Sequence, residues 1–119
     1  MIFYHGTHRL LPCLSYGTAA TTSRMDACAW AKLKCDELGL PVTSAHIFKV
    51  DVDRCEGHRV QIREKGVQHI ALRYTTVKKV YDYGDLRQLL SPEEWNILHA
   101  SSIWLKTFVD HRPTSINGW

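Results

Sequence analysis

Apolar positions follow two different rhythms along this chain. Up to about residue 22, and again from Thr43 to Tyr83, they alternate or cluster in short runs. Between Ser23 and Leu38, and again after Ser91, they recur every three or four residues. The first rhythm predicts strands and the second helices. Ile2-Phe3-Tyr4 runs directly into His5-Gly6-Thr7 and predicts a short buried strand that delivers His5 to the mouth of a cleft. His8 to Leu14 follows as a connector, packed down by Leu10, Leu11 and Leu14, with Pro12 barring a helix. The small residues from Ser15 to Thr22 suit a short strand and a turn. Its alternation puts Tyr16, Thr18 and Ala20 on one side and Gly17, Ala19 and Thr21 on the other.

Ser23 or Thr22 then caps a helix running to about Leu38. Asp26 stands three residues after Ser23, as in a capping box with Asp in place of Glu. Ala27, Trp30, Ala31, Leu33 or Lys34, and Leu38 form its apolar stripe, Gly39 ends it and Pro41 follows. The middle of the chain reads as β-structure. Thr43–Val52, Val60–Ile62, Val67–Tyr74 and Val77–Tyr83 are the expected strands, Glu56-Gly57 and Glu64-Lys65-Gly66 are turns, and Gly84 is a stop. In the third of these strands Val67, His69, Ala71 and Arg73 share one face, and Gln68, Ile70, Leu72 and Tyr74 the other. Ser91-Pro92-Glu93-Glu94 sets a cap, a proline at the first helical position and acids in the first turn. That helix either continues through Ile103-Trp104-Leu105 to Val109 or breaks at Ser101-Ser102 before a last strand. Arg112 to Trp119 reads as a tail.

Composition narrows the class. The 119 residues, 45% of them hydrophobic, suffice for one domain with a core and are too few for two. A net charge of +3 with scattered Lys and Arg does not demand a nucleic-acid partner. No signal-peptide pattern is visible, and no apolar run nears the roughly 18 residues of a membrane helix. Cys13, Cys28, Cys35 and Cys55 lack the short spacing of a zinc site, and no HExxH or close HxH pair occurs among the seven histidines. Reduced thiols, a cytoplasmic setting, no membrane and no metal are therefore expected.

Chemistry concentrates at the first strand's end. A histidine there can donate or accept a hydrogen bond near neutral pH, and Gly6 leaves the backbone bare for a flat ligand. Three features then stand in order. They are the strand ending in Phe3-Tyr4-His5-Gly6-Thr7, the small-residue strand leading into Ala27-xx-Trp30-Ala31, and the late strands Gln68-His69-Ile70-Ala71 and Val77-Lys78-Lys79-Val80-Tyr81. This order resembles the ADP-ribosyltransferase superfamily, in the branch whose first motif is tyrosine-His-Gly-Thr or -Ser. That branch includes the diphtheria-toxin-like transferases, the poly(ADP-ribose) polymerases and the rifampicin-modifying transferases. The resemblance covers about residues 2–83, with a helical part and tail from 85 to 119. It implies an α+β fold of split antiparallel β-sheets flanked by helices.

The resemblance also implies roles. His5 would hydrogen-bond the nicotinamide ribose of NAD+, and Gly6, with Thr7 beside it, would present backbone groups to the nicotinamide amide. Counting back from Ala27, the place of the family's stacking tyrosine falls on Thr18, with Tyr16 two residues earlier on the same strand face. Counting back from Val77, the place of the family's glutamate falls on Gln68, which brings hydrogen bonds without a charge. No protein nucleophile is needed, because breaking the nicotinamide–ribose bond calls for fixed rings, excluded water and oriented dipoles. Trp30 reads as core, Thr21, Thr22 and Ser23 as cap and turn residues, and His69 and Arg73 as solvated rather than as contacts to an ADP phosphate. The expected activity is a small mono-ADP-ribosyltransferase using NAD+ as co-substrate. Its acceptor would be a protein, a nucleic acid or a small molecule, and by analogy the chain would be a toxin, effector or phage factor. The alternative is a degenerate module on the same fold that binds a partner protein or a nucleotide without turnover. An RNA 2′-phosphotransferase ranks last.

Overall fold

The computed structural model describes residues 1–10, 13–14, 17–52, 60–62, 67–72 and 75–108. Among the described residues, eight strands and four α-helices follow one another: β1 Ile2–Thr7, β2 Cys13–Leu14, β3 Ala19–Thr21, α1 Arg24–Glu37, β4 His46–Asp51, β5 Val60–Ile62, β6 Gln68–Ala71, β7 Thr75–Thr76, β8 Lys79–Tyr81, α2 Tyr83–Leu89, α3 Pro92–Leu98 and α4 Ser102–Phe108. The fold is α+β. Six strands form one antiparallel sheet in the order β5-β6-β3-β1-β4-β8, and β2 with β7 makes a separate two-stranded ribbon.

The split into two sheet halves is thus replaced by one sheet whose hydrogen bonding continues across its middle. The join is narrow. β1 pairs with β4 along its whole length, from Ile2↔Asp51 to Thr7↔His46, but with β3 only at Tyr4↔Thr21. The β1–β3 seam is therefore the weakest ladder beside the central strand.

Both faces of the sheet are covered. On one side, Ala19, Ile47 and the half-buried Tyr4 and Ala71 pack with Ala27, Trp30, Ala31 and Cys35 of α1 and with Leu86, Ile97, Leu98 and Leu105 of the later helices. On the other, Phe3, Ala20, Phe48, Val50, Ile70 and Leu72 close around Leu14 of the ribbon. Alternation along each strand produces this division, since neighbouring side chains leave opposite faces.

Local chemistry explains the helices. Ser23 caps α1 by accepting from the Asp26 amide, as expected. The reciprocal half of the capping box is replaced: the Ser23 amide donates to Thr21 Oγ1, and the Asp26 carboxylate turns inward. Ser91 and Glu94 do form a full box at the start of α3, with Pro92 at its first turn. The chain then breaks at Ser101, and α4 is a separate helix rather than a continuation or a strand. Helix α2 occupies a place where the sequence suggested the end of a strand. Asp82 and Asp85 box its start, and Gly84 is carried inside it. Val60–Ile62 forms β5 as expected, whereas β4, β6 and β8 are shorter than the pattern predicts. Residues 42–44 form a 3-10 turn before β4, the expected strand from Val77 is reduced to β8, and Thr75-Thr76 is a strand rather than a break. The turns at 56–57 and 64–66, Cys55, Arg73 and the tail from 112 lie outside the described residues. Cys28 and Cys35 are buried free thiols, and burial raises the pKa of both.

Candidate functional site

His5 leaves β1 on the face away from α1, beside Phe48, which meets it edge-on with ring centroids 6.1 Å apart. Its Nδ1–H donates to the Ala19 carbonyl at 2.6 Å. That bond crosses the seam where the β1–β3 ladder has only one residue pair, so the ring ties together two strands the backbone barely joins. A carbonyl only accepts, which places the ring proton on Nδ1. Burial outweighs this hydrogen bond and holds the His5 pKa at about 4, so the ring is neutral at physiological pH. The Nε2 of a neutral ring protonated at Nδ1 is an acceptor.

His5 is only 1% exposed, and Thr7 and Thr18 are buried as well. This places His5 inside the packed layer rather than at an open mouth. Gly6 also has a different task from the expected one. A Cβ built on it would stand 1.8 Å from the Ala27 carbonyl oxygen and 3.0 Å from the Ala31 nitrogen. Its bare side is therefore filled by α1, and glycine is required for strand and helix to touch there. Tyr16 lies outside the described residues.

Gln68 opens β6, with β3 between it and β1. The registers Tyr4↔Thr21 and Thr21↔His69 align the three strands, so Gln68 leaves the same face as His5, two positions along. Ideal strand spacings put their Cα atoms about 12 Å apart. Ala20, the smallest side chain of this patch, lies across the seam from His5 and opposite Ile70. The Gln68 backbone is held at both ends by Thr22: the Gln68 amide donates to Thr22 Oγ1 and the Thr22 amide donates to the Gln68 carbonyl, each at 3.0 Å. The Gln68 side-chain oxygen is buried without a hydrogen-bond partner. An unpaired buried acceptor costs about 1–3 kcal/mol, which makes it a natural place for a donor to dock.

The opposite face holds His69, expected in solvent, paired with Asp26, expected in a capping box. His69 is fully buried, with Nε2 donating to Asp26 Oδ2 at 2.8 Å and its ring edge-on to Trp30 at 5.3 Å. Its neighbour Ala71 packs on the α1 side, and parity alone assigns His69 to that covered face. Trp30 is core, as its helical position predicts. The consecutive hydroxyls of Thr21, Thr22 and Ser23 were the signal for a more specific arrangement than a cap. Thr21 receives the Ser23 amide, Thr22 receives Gln68, and Ser23 receives Asp26.

Among the described residues no group of three or more His, Cys, Asp or Glu side chains is arranged to hold a metal ion, and no helix is long and apolar enough to cross a membrane. No protein-family model matches the sequence, and neither a curated protein nor a solved structure matches the chain.

Proposed function

We propose that this chain is a small NAD+-dependent mono-ADP-ribosyltransferase on an ADP-ribosyltransferase-like fold, and that its nicotinamide ribose lies over the sheet face bearing His5 and Gln68. One observation carries the reading: the Ala19 carbonyl fixes the proton of a neutral His5 on Nδ1, so its Nε2 and the unpartnered Gln68 oxygen on the same face are both acceptors. Two acceptors across a small-residue floor suit a ligand edge that carries two donors, as the hydroxyls of a ribose do. Strand order adds support, because the His5 strand, the strand leading into α1 and the Gln68 strand are adjacent.

NAD+ reaches His5 only when the cover over this face opens, since His5 is sealed in the closed protein. That cover includes Leu14 of the ribbon, whose two strands are joined by only two residue pairs. After entry, His5 and Gln68 hold the sugar while the nicotinamide–ribose bond breaks. The bonding electrons pass to the pyridinium nitrogen, neutral nicotinamide leaves, and the acceptor nucleophile bonds to C1′ and gives up its proton to solvent. Gln68 orients without charge, so turnover is slower than with a carboxylate in its place.

A second reading rests on the same residue. With glutamine and not an acid at this position, and Thr18 where an aromatic would stack, the protein binds NAD+ or a nucleotide and does not turn it over. Nicotinamide release separates the two. The transferase reading expects slow release by the natural protein, a rise of tenfold or more in Gln68→Glu, which converts to about 1.4 kcal/mol of barrier, and loss in His5→Gln. NAD+ bound but equally inert in the natural protein and Gln68→Glu contradicts turnover and leaves the binding module. NAD+ neither bound nor cleaved contradicts both.

A further inference from the structure

We infer that Thr22 is the positioning residue for Gln68: its hydroxyl and amide fix the backbone from which the glutamine side chain presents its unpartnered oxygen. The inference deepens the ADP-ribosyltransferase reading and rests on it for the purpose of that positioning, but its geometry stands independently. Gln68 opens β6, where a strand end ordinarily frays. Thr22 stops this from two directions, accepting from the Gln68 amide at its Oγ1 and donating its own amide to the Gln68 carbonyl.

Thr22 itself has little freedom. Thr21 before it is buried in register with both Tyr4 and His69, and its Oγ1 takes the Ser23 amide. Ser23 after it caps α1. The hydroxyl that holds Gln68 is thus supported by β3 on one side and by the first turn of the longest helix on the other. A side chain meant to meet a ligand keeps its geometry when the elements beneath it are rigid. Packing alone does not call for this hydroxyl. Valine has the shape of threonine and would fill the same space, whereas only the hydroxyl can receive the Gln68 amide.

The test compares the natural protein with Thr22→Ser, Thr22→Val and Gln68→Ala by 15N NMR, without ligand. Positioning predicts an ordered Gln68 side-chain amide in the natural protein and in Thr22→Ser. It predicts a mobile one in Thr22→Val while the backbone amides of His69, Ile70 and Ala71 keep their protection from exchange. An unchanged Gln68 side chain in Thr22→Val overturns the inference. So does loss of protection through His69–Ala71 in that variant, which would make Thr22 a general strand fastener. A functional arm uses nicotinamide release: Thr22→Val should lower it about tenfold when Gln68 is present and produce no further loss in Gln68→Ala. Equal losses in both backgrounds contradict the coupling. If the natural protein ignores NAD+, the transferase reading falls, and the NMR comparison still decides the role of Thr22.

Discussion

An imidazole shut away from water binds a proton less readily than the same ring in an unfolded chain. His5 has a folded pKa of about 4 against an ordinary 6.5. Between these values the unfolded chain takes a proton that the folded one refuses. The contribution of neutral His5 to stability is therefore whole above pH 6.5, declines as the pH falls, and is lost by about pH 4, a difference of roughly 3 kcal/mol. Urea unfolding of the natural protein and His5→Gln, followed from pH 7.5 to 4, measures this difference. The natural protein should lose the extra stability on acidification, and parallel curves for the two would mean that His5 titrates normally. The buried Asp26–His69 pair stands on the other side of the sheet. These two histidines, both inside and each edge-on to an aromatic ring, differ in their hydrogen-bond partner: His5 meets a carbonyl and His69 a carboxylate.

At the scale of elements, the central contact is β1 against α1. Gly6 meets Ala27 and Ala31 so closely that the helix backbone occupies the space of a side chain. Gly6→Ala should destabilise the protein by about 3 kcal/mol, because the obstacle is backbone that cannot rotate aside. Chemical denaturation checks this, and a loss within experimental error would show that α1 can shift away cheaply. The sequence made this helix plain, since Ser23, the Ala27-Trp30-Ala31 stripe and Gly39 mark its start, its buried side and its end. The role of Gly6 was less visible. A glycine beside a histidine reads equally as a ligand surface or as a packing contact, and only the position of Ala27 decides. Helix α2 was hidden for a related reason. Gly84 looks like a stop in a local window, and the Asp82–Asp85 box that overrides it becomes evident only once both side chains are seen to return to the backbone. The lengths of β4, β6 and β8 were overestimated, because apolar alternation continues past the last ladder pair.

For the whole molecule, an antiparallel sheet carries helices on one face and a small ribbon on the other. The α+β class was legible from the order of strand-like and helical rhythms. The continuous sheet was not, because a single residue pair joins its halves and no local pattern encodes that pair. Of the candidate site, the shared face of His5 and Gln68 follows from parity and register. The closed cover over it does not, since it depends on how Leu14 of the ribbon and the apolar residues around it meet. The most direct test of a nucleotide site on this face is an NMR titration with NAD+, following the His5 ring and the Gln68 side-chain amide. With NAD+ seated there, both should shift together and saturate, with His5 Nε2 gaining a hydrogen bond and the Asp26–His69 pair on the far face unmoved. Saturable binding that leaves His5 and Gln68 unchanged, or no binding at all, would contradict it.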